Sequence, residues 1–185
     1  MKFKKKIFYI IFFFLLIISC NILFFINKNK ITIAHVKDYY MEDTIKKDSF
    51  LMAKKDKKPK RYQIVTFKVN GKEFTKRVIG MPNDKIEIYY RDIYYNNNKS
   101  FDYFISGSMP KVSHKKSFLL NDNLYFVIGD NRDLFDIKNL TNHPEEYFIS
   151  EDSIKYIIES NISLEKEKIK GETNWIKLIT KYGII

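Results

Sequence analysis

Lys76 is the reactive side chain whose setting is best defined. It lies in Lys76-Arg77-Val78-Ile79-Gly80-Met81-Pro82-Asn83-Asp84, where Val78 and Ile79 continue an extended run from Glu73 to Thr75 before a turn at Pro82-Asn83. Proline presets φ for the second position of a tight turn, and asparagine tolerates the positive φ of the third. Taken alone, a lysine in such a place is a surface amine, its stem on apolar neighbours and its ammonium in water. The histidines, His35, His114 and His143, share no spacing that would build a metal site or a triad, so their expected roles are surface or structural and no metal or other cofactor is expected. Cys20 is the one cysteine, which leaves no intramolecular disulfide to form.

The elements that would position Lys76 read as strands. Gln63-Ile64-Val65-Thr66-Phe67-Lys68-Val69 is followed by Asn70-Gly71, a strong two-residue hairpin signal, and Lys72 to Ile79 returns antiparallel with Lys76 on this second arm. Lys85-Ile86-Glu87-Ile88 alternates directly after the Pro82-Asn83 turn. Upstream, Ile31 to Val36 and Phe50-Leu51-Met52 read as strands, and further short ones are expected at 85–90, 93–95, 124–128 and 154–158. Turns are expected near Asn96-Asn97-Asn98 and Gly129-Asp130-Asn131. Glu165 to Ile185, with Trp175 among apolar neighbours, fits a short helix or a strand equally. Abundant Phe, Tyr, Ile and Val and scarce Ala favour strands, and there are no internal repeats. The fold class expected is mainly β: an antiparallel β-sheet domain on one N-terminal transmembrane helix.

That helix is the clearest element. Met1-Lys2-Phe3-Lys4-Lys5-Lys6 is a basic head, and Ile7 to Ile26 is nearly continuously apolar, broken by Ser19, Cys20 and Asn21. About 20 residues at ~1.5 Å rise span ~30 Å, the thickness of a bilayer core. Lysines crowd the first flank, so the positive-inside rule puts the amino terminus in the cytoplasm and the domain on the outer face. A cleavable signal peptide would have a shorter apolar stretch and a small-residue cleavage site. Ile17-Ile18-Ser19-Cys20 could pass as a loose lipobox, which keeps lipidation of Cys20 as an alternative, although the apolar run resumes at Ile22-Leu23-Phe24-Phe25. The organisation expected is a head at 1–6, an anchor at 7–26, one β domain at 31–160 and a C-terminal tail of uncertain structure at 161–185. The formal charge of +11 suits nucleic acid, an anionic membrane face, or simply solvated lysines. The charge-dense loop from Lys54 to Arg61, carrying Pro59, reads as solvated surface or as a headgroup contact.

The stretch from Lys76 to Asp84 closely resembles the lysine motif of the type I signal peptidases, K-R-V-x-G-x-P-G-D, with Arg77, Gly80, Pro82 and Asp84 matching and Asn83 in place of glycine. The family's motifs come in a fixed order behind a membrane helix, and the order is present here. Tyr40-Met41-Glu42-Asp43-Thr44-Ile45-Lys46-Lys47-Asp48 has the spacing of S-M-x-P-T-L-x-x-G-D: Met41, Thr44 and Asp48 agree, while Tyr40 replaces the nucleophilic serine, Asp43 the proline and Lys47 the glycine. Tyr62-Gln63-Ile64-Val65-Thr66-Phe67 looks like G-D-I-V-V-F. Tyr125-Phe126-Val127-Ile128-Gly129-Asp130-Asn131-Arg132 reproduces the first half of Y-F-V-x-G-D-N-R-x-x-S-x-D-S-R. In the second half Phe135, Ile137, Lys138 and Asn139 replace serine, aspartate, serine and arginine.

The resemblance implies Lys76 as the general base, made neutral by burial, and Tyr40 at the nucleophile position. It implies Met41 as a substrate contact and backbone N–H groups as oxyanion donors, while Asp130 and Arg132 are expected to hold the core together rather than do chemistry. A tyrosine oxygen stands several ångströms further out than a serine oxygen, its ring fills space meant for small substrate side chains, and its phenol titrates near ~10. Loss of such a nucleophile costs on the order of 10⁶ in turnover. Two serines could stand in: Ser108 in Ser106-Gly107-Ser108-Met109-Pro110, which imitates the nucleophile motif but follows the lysine motif, and Ser49, just past Asp48. The expectation is a membrane-anchored family member with impaired catalysis, partnered by membrane lipid and by signal peptides of exported preproteins or a related active peptidase. The alternative is an active signal peptidase, a serine-type endopeptidase of the bacterial cytoplasmic membrane. A basic nucleic-acid-binding β domain would explain the lysines but neither the anchor nor the ordered motifs, so no nucleic acid partner is expected.

Overall fold

A computed structural model of the chain describes residues 2–28, 30–42, 44–100, 111–134, 140, 144–169 and 172–180. Helix α1 (Lys2–Lys28) holds the apolar run. Within Lys6–Lys28 an 18-residue stretch reaches a mean hydropathy of 2.7 and is not buried against the rest of the chain, so by length and composition the helix can cross a bilayer. Twelve strands follow among the described residues: β1 (Ile31–His35), β2 (Phe50–Lys54), β3 (Ile64–Val69), β4 (Lys72–Gly80), β5 (Lys85–Tyr90), β6 (Asp92–Tyr95), β7 (Asn98–Lys99), β8 (Val112–Leu119), β9 (Leu124–Ile128), β10 (Phe148–Ser150), β11 (Ile154–Ile169) and β12 (Glu172–Thr180). The larger sheet runs β1-β2-β11-β3-β4-β9-β10 with β12 paired to β11, and the smaller runs β7-β6-β5-β8. Every pairing is antiparallel.

Local sequence sets the turns. Asn70 and Gly71 take φ of 48° and 80°, the double left-handed geometry of a two-residue hairpin, with Val69 opposite Lys72. Asn96 and Asn97, at 47° and 66°, join β6 to β7 in the same way. Between β4 and β5 the Asp84 N–H donates to the Met81 carbonyl at 3.0 Å, Pro82 fills the second place and Asn83 the third with φ 67°. This is the tight turn expected from Pro82-Asn83. It passes the chain from one sheet to the other. Where they meet, Ile79, Ile86, Ile88 and Phe126 share a buried cluster. Gly80 sits at the closest point: a Cβ there would stand 2.6 Å from Ile86 Cδ1 and 2.8 Å from Phe126 Cβ.

Four strands exceed what pattern alone suggested. β8 has His114, Lys115, Lys116 and Ser117 in its middle; as an edge strand it pairs with β5 on one side only, so it needs no apolar alternation. β10 has three residues, too few to show a period. The stretch read as a short strand at 154–158 continues as β11 to Ile169, and the segment left open between helix and strand pairs back as β12, with Lys166 opposite Trp175.

Candidate active site

Lys76 lies in the middle of β4, opposite Val65 of β3, and is 9% exposed. Burial pushes its amine below the ordinary lysine value of 10.5, against the opposing pull of Asp38 and then Glu146. Two aromatic rings take its charge-bearing end. Nζ stands 4.6 Å from the centre of the Tyr40 ring and 5.1 Å from that of Tyr147. Among the described residues no hydroxyl or carboxylate is hydrogen-bonded to Nζ.

Tyr40 is half-buried in the turn after β1, its ring centroid 6.1 Å from that of Phe74 on β4. The backbone of this turn is fixed from two sides. Asp38 Oδ1 accepts from the Tyr40 N–H at 3.1 Å, while Asp38 Oδ2 accepts from the Thr75 N–H at 2.6 Å, linking the turn to the strand that carries Lys76. From the other side the Asn131 N–H donates to the Tyr40 carbonyl at 2.9 Å. Gly129 makes that approach possible, because a Cβ there would stand 2.4 Å from the Tyr40 carbonyl oxygen.

The remaining motif residues form the scaffold around this contact. Asp130 is 1% exposed and accepts from Arg77 Nε at 2.9 Å, from Arg77 Nη2 at 2.6 Å and from Thr44 Oγ1 at 2.6 Å. Arg77 Nη1 also donates to the Tyr62 carbonyl at 2.7 Å. Three motifs far apart in sequence thus meet on one buried carboxylate. Asp84 forms a second knot: Arg61 Nη1 donates to it at 2.7 Å and to the Ile79 carbonyl at 2.6 Å, the Met81 N–H at 2.6 Å, and Asn96 Nδ2 at 2.7 Å. Arg132 is 2% exposed.

Other candidates are placed elsewhere. Met41 is fully buried in a cluster with Ala34, Val36, Ile45 and Leu51, so its surroundings show packing. Asp48 is exposed, has φ 63°, pairs with His35 at 3.3 Å and donates its N–H to the Val36 carbonyl. Ser49 is buried beside it, its carbonyl accepting from the Val36 N–H. Asp43, Ser106, Ser108, Phe135, Ile137, Lys138, Asn139 and His143 lie outside the described residues. Among the described residues no three His, Cys, Asp or Glu are grouped to hold a metal ion. Sequence reasoning missed Asp38 and Tyr147. The first carried a signal, since an aspartate readily accepts from the N–H two residues on; the second, 71 positions from Lys76, carried none.

The profile of one protein family, described as signal peptidase, peptidase S26, matches residues 5–136. Signal peptidase I of Bacillus amyloliquefaciens is 30% identical over 81 residues, 40% of this chain and 44% of that protein. Signal peptidase I U of Bacillus subtilis strain 168 is 30% identical over 91 residues, 45% of this chain and 49% of that protein. The chain therefore spans about half the length of the curated relatives it matches. A crystal structure of a signal peptidase I from Enterococcus faecalis V583 aligns with a TM-score of 0.41 at 23% identity, over 56% of this chain and 99% of that one.

Proposed function

The chain belongs to the signal peptidase family, peptidase S26, and on that premise we propose that it is a membrane-anchored member impaired in catalysis, which engages signal peptides of exported preproteins or a related active peptidase without cutting. The reading is carried by one observation: the Lys76 amine faces the ring of Tyr40 at 4.6 Å. A lysine base must lie within about 3 Å of the hydroxyl it activates. An aromatic face offers neither a proton to take nor an oxygen to attack with. In this reading Lys76 keeps the base position, Tyr40 fills the nucleophile position, and the Thr44–Asp130–Arg77 network holds the two together.

The family is membrane-anchored and α1 is long and apolar enough for that role. The lysine-rich head favours a cytoplasmic amino terminus, with the β domain on the outer face. A second reading, an active peptidase using another hydroxyl, is favoured by the retained amine, still buried and held below its ordinary value. One assay separates them. The purified full chain is incubated in detergent with a preprotein, beside Lys76→Ala and Ser108→Ala variants. No Lys76-dependent product is expected; cleavage abolished by Lys76→Ala would overturn the first reading, and its loss in Ser108→Ala would identify the working hydroxyl.

A further inference from the structure

We propose that the Tyr40 and Thr75 N–H groups form an anion-binding site already filled by the chain's own Asp38 carboxylate, which excludes the oxyanion of a cleavage reaction. The inference rests on Tyr40 standing at the nucleophile position, and it adds a second block independent of the missing serine. In acyl transfer the backbone N–H of the nucleophilic residue itself commonly serves as an oxyanion donor. Here that N–H is committed, donating to Asp38 Oδ1 at 3.1 Å.

The second donor is free for an anion because of strand register. Val69 and Lys72 close the hairpin as a hydrogen-bonded pair, so bonded and non-bonded pairs alternate from there and Thr66–Thr75 is non-bonded. The Thr75 N–H therefore points away from β3. On that side β9 would be the next strand, but its last paired residue, Ile128, stands opposite Arg77. Among the described residues no strand pairs with the buried Thr75 N–H on that side, and Asp38 Oδ2 takes it at 2.6 Å. The Lys76 amine adds an electrostatic attraction to the same carboxylate. Two N–H donors thus hold one carboxylate, each on its own oxygen, as they could hold another anion in its place.

The ligand class is therefore a small carboxylate or a tetrahedral oxyanion, admitted only when Asp38 is removed. Restoring serine at Tyr40 alone should not restore turnover. With a preprotein in detergent, the Asp38→Ala/Tyr40→Ser double variant is expected to exceed Tyr40→Ser by about 10²–10³-fold, the usual worth of one oxyanion donor. A double variant no faster than the single overturns the proposal while the lost-nucleophile reading stands. Lys76-dependent cleavage by the unaltered chain sinks that reading instead. A measurement without turnover covers loss of folding in the variants. In the ¹⁵N-labelled full chain, the Tyr40 and Thr75 amide shifts should follow one common carboxyl titration, absent in Asp38→Asn. In Asp38→Ala, acetate should shift both amides saturably and acetamide should not. Amides that titrate separately, or respond equally to both probes, overturn the occupied site.

Discussion

A lysine amine buried between two rings is a compromise between opposing costs. Taking the ammonium out of water disfavours the charged form, and this outweighs the attraction of Asp38 and Glu146. The faces of Tyr40 and Tyr147 return roughly 0.5–1 kcal/mol each to the cation. The pH dependence follows from where the proton is held. The unfolded chain keeps it up to 10.5, whereas the folded chain releases it earlier. Between those values the unfolded state binds more protons, so stability rises with pH across the window. Lys76→Met should remove this dependence. The variant is expected to be more stable than the parent at neutral pH, by about 1–2 kcal/mol, with the gap closing as pH approaches 10.5. Denaturant titrations at several pH values read it directly, and a gap that stays constant with pH would mean the amine is not desolvated.

At the scale of elements, the site depends on a turn and two strands held by side-chain hydrogen bonds to one buried carboxylate. Asp130 compensates the buried Arg77 and also fixes Thr44. Asp130→Ala leaves that guanidinium without its carboxylate and should cost about 3–5 kcal/mol. Thr44→Val removes one bond to a charged acceptor and should cost about 1.5–3 kcal/mol. Because both changes act through one carboxylate, the double variant should lose less than the sum, which thermal or denaturant unfolding can test. Asn83 gives a contrasting case. Its φ of 67° suits glycine, the residue found there in the family motif. Asn83→Gly should be nearly neutral, and Asn83→Val should destabilise by about 1–2 kcal/mol, the cost of a left-handed conformation for an ordinary residue. If the two unfold alike, the turn does not hold that geometry in solution.

At the scale of the molecule, an apolar helix and a mainly β body do separate work. α1 leans on β1 and exposes its large apolar side chains, Phe8, Phe12 and Phe24 among them, so its burial must come from outside the chain. Deleting residues 2–28 should move the protein from the membrane to the soluble fraction, whereas Cys20→Ser should leave it in place with no lipid label lost. Retention of the truncated chain after alkaline extraction would assign membrane binding to the β body. Beyond the helix, the larger sheet sets β9 beside β4, and the Asn131 N–H to Tyr40 carbonyl bond brings residue 40 to residues 129–131, uniting positions no local segment could.

The amino-acid sequence by itself determined the apolar helix, the Asn70-Gly71 hairpin, the Pro82-Asn83 turn and the strand bearing Lys76. Each of these is decided within a few neighbouring residues, by continuous hydrophobicity, alternation or a residue suited to positive φ. Motif order likewise pointed to the family that the profile match over residues 5–136 shows, and the proposal that Tyr40 stands at the nucleophile position rests on that order. Only the tertiary structure decided what surrounds the amine: that Tyr147 covers it, that Asp38, beyond its local bond to the Tyr40 amide, also holds the Thr75 amide, and that Asp130 ties three motifs together. Those contacts depend on strand register and on chain brought back from far along the sequence, and neither leaves a local trace. The polar edge strand β8 escaped notice for a related reason, because a strand paired on one side only is free of the hydrophobic pattern by which strands are read.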